Sequence, residues 1–280
     1  MSIRIITDST IDIADSYKEY VSVVPLHVRF GETEYIDGVT ITKQEFYDKL
    51  IETDELPQTS QAVPADFDPI FDEIRGTNDS AIVLTISSAL SGTYQSACIA
   101  SEDDDNITVI DTLNVATGAG ILVEYAIDCV MSGMNHDEVV DAIMAKRDDV
   151  CIIALLDTLE YLKMGGRISA TAALAGGLLN IKPVITVKDG AIDLIGKARG
   201  SKQGNNFLKN KAAESGIDYE LPILLGYSGN SDLLLKKYIE DSKELWEGKV
   251  ADLDISQVCS VIGTHVGPGA IVVSFFKSRL

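Results

Sequence analysis

The chain has 280 residues and a formal net charge of -20 at pH 7, from 43 acidic and 23 basic side chains. That balance repels nucleic-acid phosphates and anionic membrane surfaces, so neither is an expected partner; the length exceeds a single core and implies two domains. The hydrophobic fraction of 46% lies in runs broken by polar residues, a globular pattern without stable membrane insertion.

The sequence opens at once on a strand-like run with no signal peptide, so the expected location is the cytoplasm. Cys98, Cys129, Cys151 and Cys259 are far apart, lack Cys-x-x-Cys spacing and read as buried, reduced thiols. None of the three histidines pairs with another at metal-ligand spacing, so no metal or other cofactor is expected.

Residues 3–7 predict a first strand feeding the turn Thr7-Asp8-Ser9-Thr10. Residues 21–30 read as a second extended run, and residues 31–38 as a hairpin region. Thr42 with Glu45 three residues on is a capping box, opening a helix to residue 52. Pro57-Gln58-Thr59-Ser60-Gln61 is an expected loop. Pro64 suits the first turn of the next helix, which Pro69 should shorten or kink. Residues 81–86 are apolar throughout, as in a strand covered on both faces. The cluster Ser87-Ser88-Ala89-Leu90-Ser91-Gly92-Thr93 follows, then a helix over 93–101. A strand at 107–111, helices at 116–131 and 137–146, and a strand at 151–156 continue the alternation, which points to parallel β-α-β units.

After residue 156 the rhythm changes. A short helix over 159–164 stops at Gly165-Gly166-Arg167, and residues 170–179 are small and aliphatic. Two β-prone runs flank Asp189-Gly190, a hairpin signal. A helix over 204–214, a strand over 221–227, a helix over 233–246 and a closing strand over 271–276 complete the chain. The expected fold class is α/β: a mostly parallel sheet with flanking helices over residues 1–155, and a second α/β domain over 156–280. The boundary is soft, and the chain is free to recross it.

In an open α/β sheet, loops leaving the carboxyl ends of the strands converge on one crevice. Hydroxyls and backbone N–H groups there suit a small anionic head group. The 87–93 loop has neither the Gly-x-Ser-x-Gly of a hydrolase elbow nor a Gly-Lys-Ser/Thr phosphate loop. The Ser91 hydroxyl and Gly92 N–H fit a carboxylate, or an ordinary helix cap. Thr59 and Ser60 either cap the next helix or complete a receptor opposite Ser91. Asp8 is a poor partner for a carboxylate and reads as a group that orients its neighbours. Arg167 and Arg199, each beside glycine, either complement a helix dipole or present a fork to a phosphate. His265, in Thr264-His265-Val266-Gly267-Pro268-Gly269, is a loop residue that either has no role or donates to an anion.

Thr7-Asp8-Ser9, Pro57-Gln58-Thr59-Ser60-Gln61, Ser87-Ser88-x-x-Ser91-Gly92-Thr93, Lys163-x-Gly165-Gly166-Arg167 and His265-x-Gly267-Pro268-Gly269 occur in this order. Together they resemble the DegV family, over essentially the whole chain. The resemblance implies two α/β domains and a long-chain fatty acid with its tail in a buried apolar tunnel, for which residues 170–179 are a candidate lining. It implies that Thr59 and Ser91 hold the carboxylate, with Ser60 and the Gly92 N–H beside them and His265 close by. Arg167 and Arg199 would lie near the mouth, where a partner docks or a phosphoryl group passes. In better-understood members the protein is the lipid-binding subunit of a bacterial fatty acid kinase, not itself an enzyme. A separate ATP-dependent catalytic subunit phosphorylates the bound carboxylate, giving an acyl-phosphate for phospholipid synthesis. Two departures, Ala62-Val63-Pro64 after Gln61 and Ile11-Asp12-Ile13 after Thr10, leave the proposed receptor untouched. Two other readings use the same loops: a serine-dependent hydrolase or acyltransferase with Ser91 and His265, and a binder of sugar or phosphate.

Overall fold

The computed structural model describes residues 2–53, 55–168 and 181–278; the aliphatic segment 170–179 lies outside them. β1 (Ile3–Asp8) and β2 (Val21–Val24) run parallel, with Ile5 opposite Val21. The expected single run over 21–30 is two strands. β3 (His27–Phe30) belongs to another sheet, pairing antiparallel with β4 (Thr33–Ile36). The break falls at Pro25, which has no N–H to give to a ladder. The Thr42 capping box opens α1 (Lys43–Glu52): the Glu45 N–H donates to Thr42 Oγ1 at 3.2 Å and the Thr42 N–H to Glu45 Oε2 at 2.8 Å.

The segment expected as a loop at 57–61 contains β5 (Gln58–Ser60), which extends the small sheet with Thr59 opposite Val28. α2 (Pro64–Arg75) passes through Pro69 and is not shortened there. Pro69 leaves only the carbonyl of Ala65 without its helical donor, and Ala65 is exposed to solvent.

β6 (Ser80–Thr85), α3 (Thr93–Ala100), β7 (Ile107–Asp111), α4 (Ala116–Met131) and α5 (His136–Lys146) complete the parallel layer. Its strand order is β2-β1-β6-β7. α4 is apolar nearly all round because it is buried between two sheets, touching β1 and β6 on one side.

On its other side α4 meets β8 (Val150–Leu155), which does not continue the parallel series as expected. β8 pairs antiparallel on both edges in a second sheet. That sheet is built with β9 (Ile181–Lys188), β10 (Ala191–Arg199), β11 (Leu224–Tyr227), β12 (Asp254–Gln257) and β13 (Ile271–Phe276). Its order is β10-β9-β8-β13-β11-β12, and only β11 and β12 are parallel. The fold is therefore α/β with a parallel sheet, a mixed sheet, the small antiparallel sheet β4-β3-β5, and helices between and around them.

The β9–β10 hairpin turns at Asp189 and Gly190, both left-handed with φ of 50° and 79°, the conformation a tight two-residue turn demands. α6 (Glu160–Met164) and α7 (Gly200–Ser215) flank this hairpin in the chain. The helix expected over 233–246 is broken at Ser242 into α8 (Leu233–Asp241) and α9 (Lys243–Trp246). There the Ser242 hydroxyl donates to the Tyr238 carbonyl and accepts from the Trp246 indole N–H. The expected loop around His265 is largely α10 (Ser260–Val266). Gly263 hides this helix in the sequence. It is required there because a Cβ would come within 2.7 Å of both the Phe46 ring and the Tyr47 hydroxyl.

Candidate functional site

A cavity of about 320 Å³ opens where the carboxyl ends of β1, β6 and β7 meet β5, β10 and α10. Thr10, Ile86 and Val115 line it from the loops after the three parallel strands. Thr59, Ser60, Ser91, Gly92, Arg167 and His265 all line it. Of the expected site residues Arg199 alone lies outside that wall. Arg199 ends β10 opposite Ile181, is exposed, and its N–H donates to Gln203 Oε1 at 3.0 Å.

The polar end is organised from beneath. Asp8 is fully buried; one oxygen accepts from the Thr10 N–H at 2.9 Å and from the Thr10 hydroxyl. The other accepts from the Ile86 N–H at 2.7 Å, tying the loop after β1 to that after β6. Burial pushes the Asp8 carboxyl up, against these hydrogen bonds, so Asp8 serves the loops rather than the cavity. Ser9 does similar work, its Oγ accepting from the Leu26 N–H at 3.0 Å.

Ser91 precedes Gly92, the N-cap of α3. Its Oγ lies 2.9 Å from Thr93 Oγ1 and accepts from the Thr93 N–H at 3.3 Å, a local bond at the entrance to α3, yet it borders the cavity. At Gly92 the Gln61 amide occupies the space of a side chain: an added Cβ would lie 2.2 Å from Gln61 Oε1 and would require that amide to shift. Gln61 is anchored by donating from Nε2 to Ser96 Oγ at 3.1 Å.

His265 faces these hydroxyls from the last turn of α10, with Nε2 3.0 Å from Thr59 Oγ1. Nδ1 is buried and has no hydrogen-bond partner among the described residues. Burial, and secondarily the Arg167 charge, lower the imidazole pKa to about 4, so the ring is neutral at physiological pH. It sits against the chain turn after α6, where a Cβ on Gly165 would fall 2.1 Å from Nδ1. Arg167, beyond that turn, is exposed and donates to the carbonyls of Gly165 at 2.5 Å and Leu90 at 3.4 Å.

The rest of the lining is largely aliphatic. Leu26, Leu90 and Leu162 add to the outer wall, and a second, smaller space of about 40 Å³ lies inward, lined by side chains such as Ile152, Ala154 and Val272. Sequence reasoning did not find these apolar residues. They come from remote elements, and nothing in their local patterns separates a cavity wall from ordinary core.

A family model described as "Uncharacterised protein, DegV family" matches residues 2–278. The chain belongs to the DegV family. A DegV domain-containing protein of Caldanaerobacter subterraneus is 36% identical over 282 residues, covering 99% of each chain. Among solved structures, a lipid-binding DegV protein from Thermotoga maritima superposes with a TM-score of 0.89 at 27% identity, over 100% of this chain and 99% of that one. A DegV family protein from Thermus thermophilus, described by its fatty acid binding, has a TM-score of 0.87 at 32% identity, over 99% and 100%.

The hydrolase reading finds no support in these DegV relatives or in the site. His265 Nε2 is engaged by Thr59, Ser91 Oγ by Thr93, and no acid orients Nδ1 among the described residues. A serine nucleophile needs all of those contacts arranged the other way. Among the described residues no cluster of His, Cys, Asp or Glu could hold a metal ion, and no helix is long and apolar enough to cross a membrane.

Proposed function

We propose that the protein binds a long-chain fatty acid and presents its carboxylate to a separate ATP-dependent kinase subunit. The observation that carries this reading is a cavity lined by hydroxyls, a neutral imidazole and aliphatic side chains, adjoined by a smaller space whose lining is aliphatic apart from Thr186. The description of the Thermus thermophilus relative supports the ligand class.

The tail supplies affinity, at about 0.8 kcal/mol per buried methylene. The carboxylate must be paired, because an unsatisfied buried anion is costly. The Thr59 and Ser91 hydroxyls and the Gly92 N–H are the donors, with Ser60 at the same rim. When His265 Nε2 carries the proton it donates to Thr59 Oγ1, which frees the Thr59 proton for the ligand. Neutral donors leave a carboxylate oxygen nucleophilic enough to attack the terminal phosphorus of ATP, releasing ADP and forming an acyl-phosphate. Arg167 stands at the rim for the incoming phosphoryl group, and Arg199, on the outside, is assigned to the partner's docking surface.

The test is phosphoryl transfer from ATP to fatty acid with a partner kinase, comparing the wild type with a Thr59→Val, Ser91→Ala double variant. Loss of acyl-phosphate with the fold intact supports the receptor; unchanged transfer removes it.

A further inference from the structure

The outer and inner cavities share Val115, Ile192, Ile262 and Val266. These four converge from three places: Val115 stands just before α4, Ile192 lies on β10, and Ile262 and Val266 are one turn apart on α10. The space before them is about 320 Å³ and the space behind them about 40 Å³. Head-group binding gives this ring no role.

Resting on the fatty-acid reading above, we infer that the ring gauges the length of the acyl chain and that Ile192 sets the gauge. All four side chains are β-branched and therefore stiff at χ1, so they do not swing aside as Met or Leu would. Val115 and Ile262 are also fixed in the core, at 7% and 8% exposure. Ile192 and Val266 are half-buried, and of the two only Ile192 stands on a strand, the one that forms an edge of the mixed sheet. Its position is nevertheless pinned. Two residues before it, at the hairpin tip, the Gly190 carbonyl accepts from Ser87 Oγ at 2.7 Å. That bond ties β10 to the loop after β6, which supplies Ser91 and Gly92. One clasp thus fixes the distance from head-group receptor to ring. The space behind the ring, about 40 Å³, is too small for a long tail, so a chain that reaches the ring ends close to it.

The experiment measures the affinity of full-length, ligand-stripped protein for saturated fatty acids of increasing length, by displacement of a fluorescent fatty acid. In the wild type, binding should tighten about fourfold per added methylene, the equivalent of ~0.8 kcal/mol, and then level off at a defined length. Ile192→Ala should move that break to longer chains and leave the affinity for shorter ones unchanged. Ile192→Phe should move it to shorter chains; if that variant does not fold, Ile192→Ala decides alone. A break at the same length in folded wild type and Ile192→Ala overturns the gauge. Failure of the wild type to bind any fatty acid overturns the ligand reading beneath it instead.

Discussion

Thr59 Oγ1 and His265 Nε2 lie 3.0 Å apart although 206 positions separate them in the chain. β5 brings one and α10 the other to the same wall, so the head-group receptor exists only when the small sheet and the end of the chain are both in place. Thr59→Val keeps the shape and removes the hydroxyl. A hydrogen bond to a charged group is worth about 1.5–3 kcal/mol, so fatty acid binding should weaken roughly 10- to 100-fold, and loss of the partner of buried His265 Nε2 should cost about 1–3 kcal/mol of stability. Thr59→Ser should restore most of the loss. Calorimetric titration of the three proteins measures it.

His265 should titrate far below an ordinary histidine. Its folded pKa is lowered from 6.5 to about 4, so between those values the unfolded chain binds the proton and the folded chain does not. Stability is intact above 6.5 and falls as pH drops toward 4, by about 1.4 kcal/mol per unit for this group. His265→Gln should flatten that part of the stability–pH curve. NMR titration of the imidazole checks the pKa directly, and a midpoint near 6.5 would contradict the burial described here.

Glu124 should act in the opposite sense. It is buried on α4, accepts from the Ala14 N–H at 2.8 Å, and burial raises its pKa from 4.5 to about 8. Asp254 and Asp128 add smaller upward pushes. The folded state keeps a proton that the unfolded state loses, so stability from this group is present below pH 4.5 and lost as pH rises to about 8. Glu124→Gln preserves the acceptor for Ala14 and cannot ionise. It should match the wild type in acid and exceed it by a few kcal/mol at about pH 9, each pKa unit being worth about 1.4 kcal/mol. Denaturant melts across pH provide the comparison.

Gly120 marks the tightest approach between α4 and the loop after β1: an added Cβ would fall 1.9 Å from the Asp12 carbonyl oxygen. That neighbour is backbone, so relief requires the helix or the loop to move. Gly120→Ala should cost about 1–3 kcal/mol or more despite its gain in helix propensity. Urea denaturation measures the loss.

The legible parts of this fold were those governed by local rules. The Thr42–Glu45 box, the Asp189-Gly190 turn and the apolar 81–86 strand each carry their cause within a few residues. The partner of a strand does not. Residues 150–155 look like one more parallel strand, and only the long-range ladder with β13 makes them antiparallel. β5 reads as a loop because three polar residues have no hydrophobic signature, and α10 as a loop because Gly263 within it and Gly267 just after it meet needs set by Phe46, Tyr47 and Tyr161. The hydroxyl-rich rim was visible as motifs in order. The apolar ring was not, since each member is an ordinary aliphatic residue until three elements bring the four together.

The most direct measurement is mass spectrometry of small molecules released by denaturing freshly purified protein, followed by addition of fatty acid to the stripped protein. The expected result is a co-purified long-chain fatty acid that rebinds one per chain and is lost with the Thr59→Val, Ser91→Ala variant. A protein that carries no lipid and takes up none, while remaining folded, would contradict the assignment of this cavity to a fatty acid.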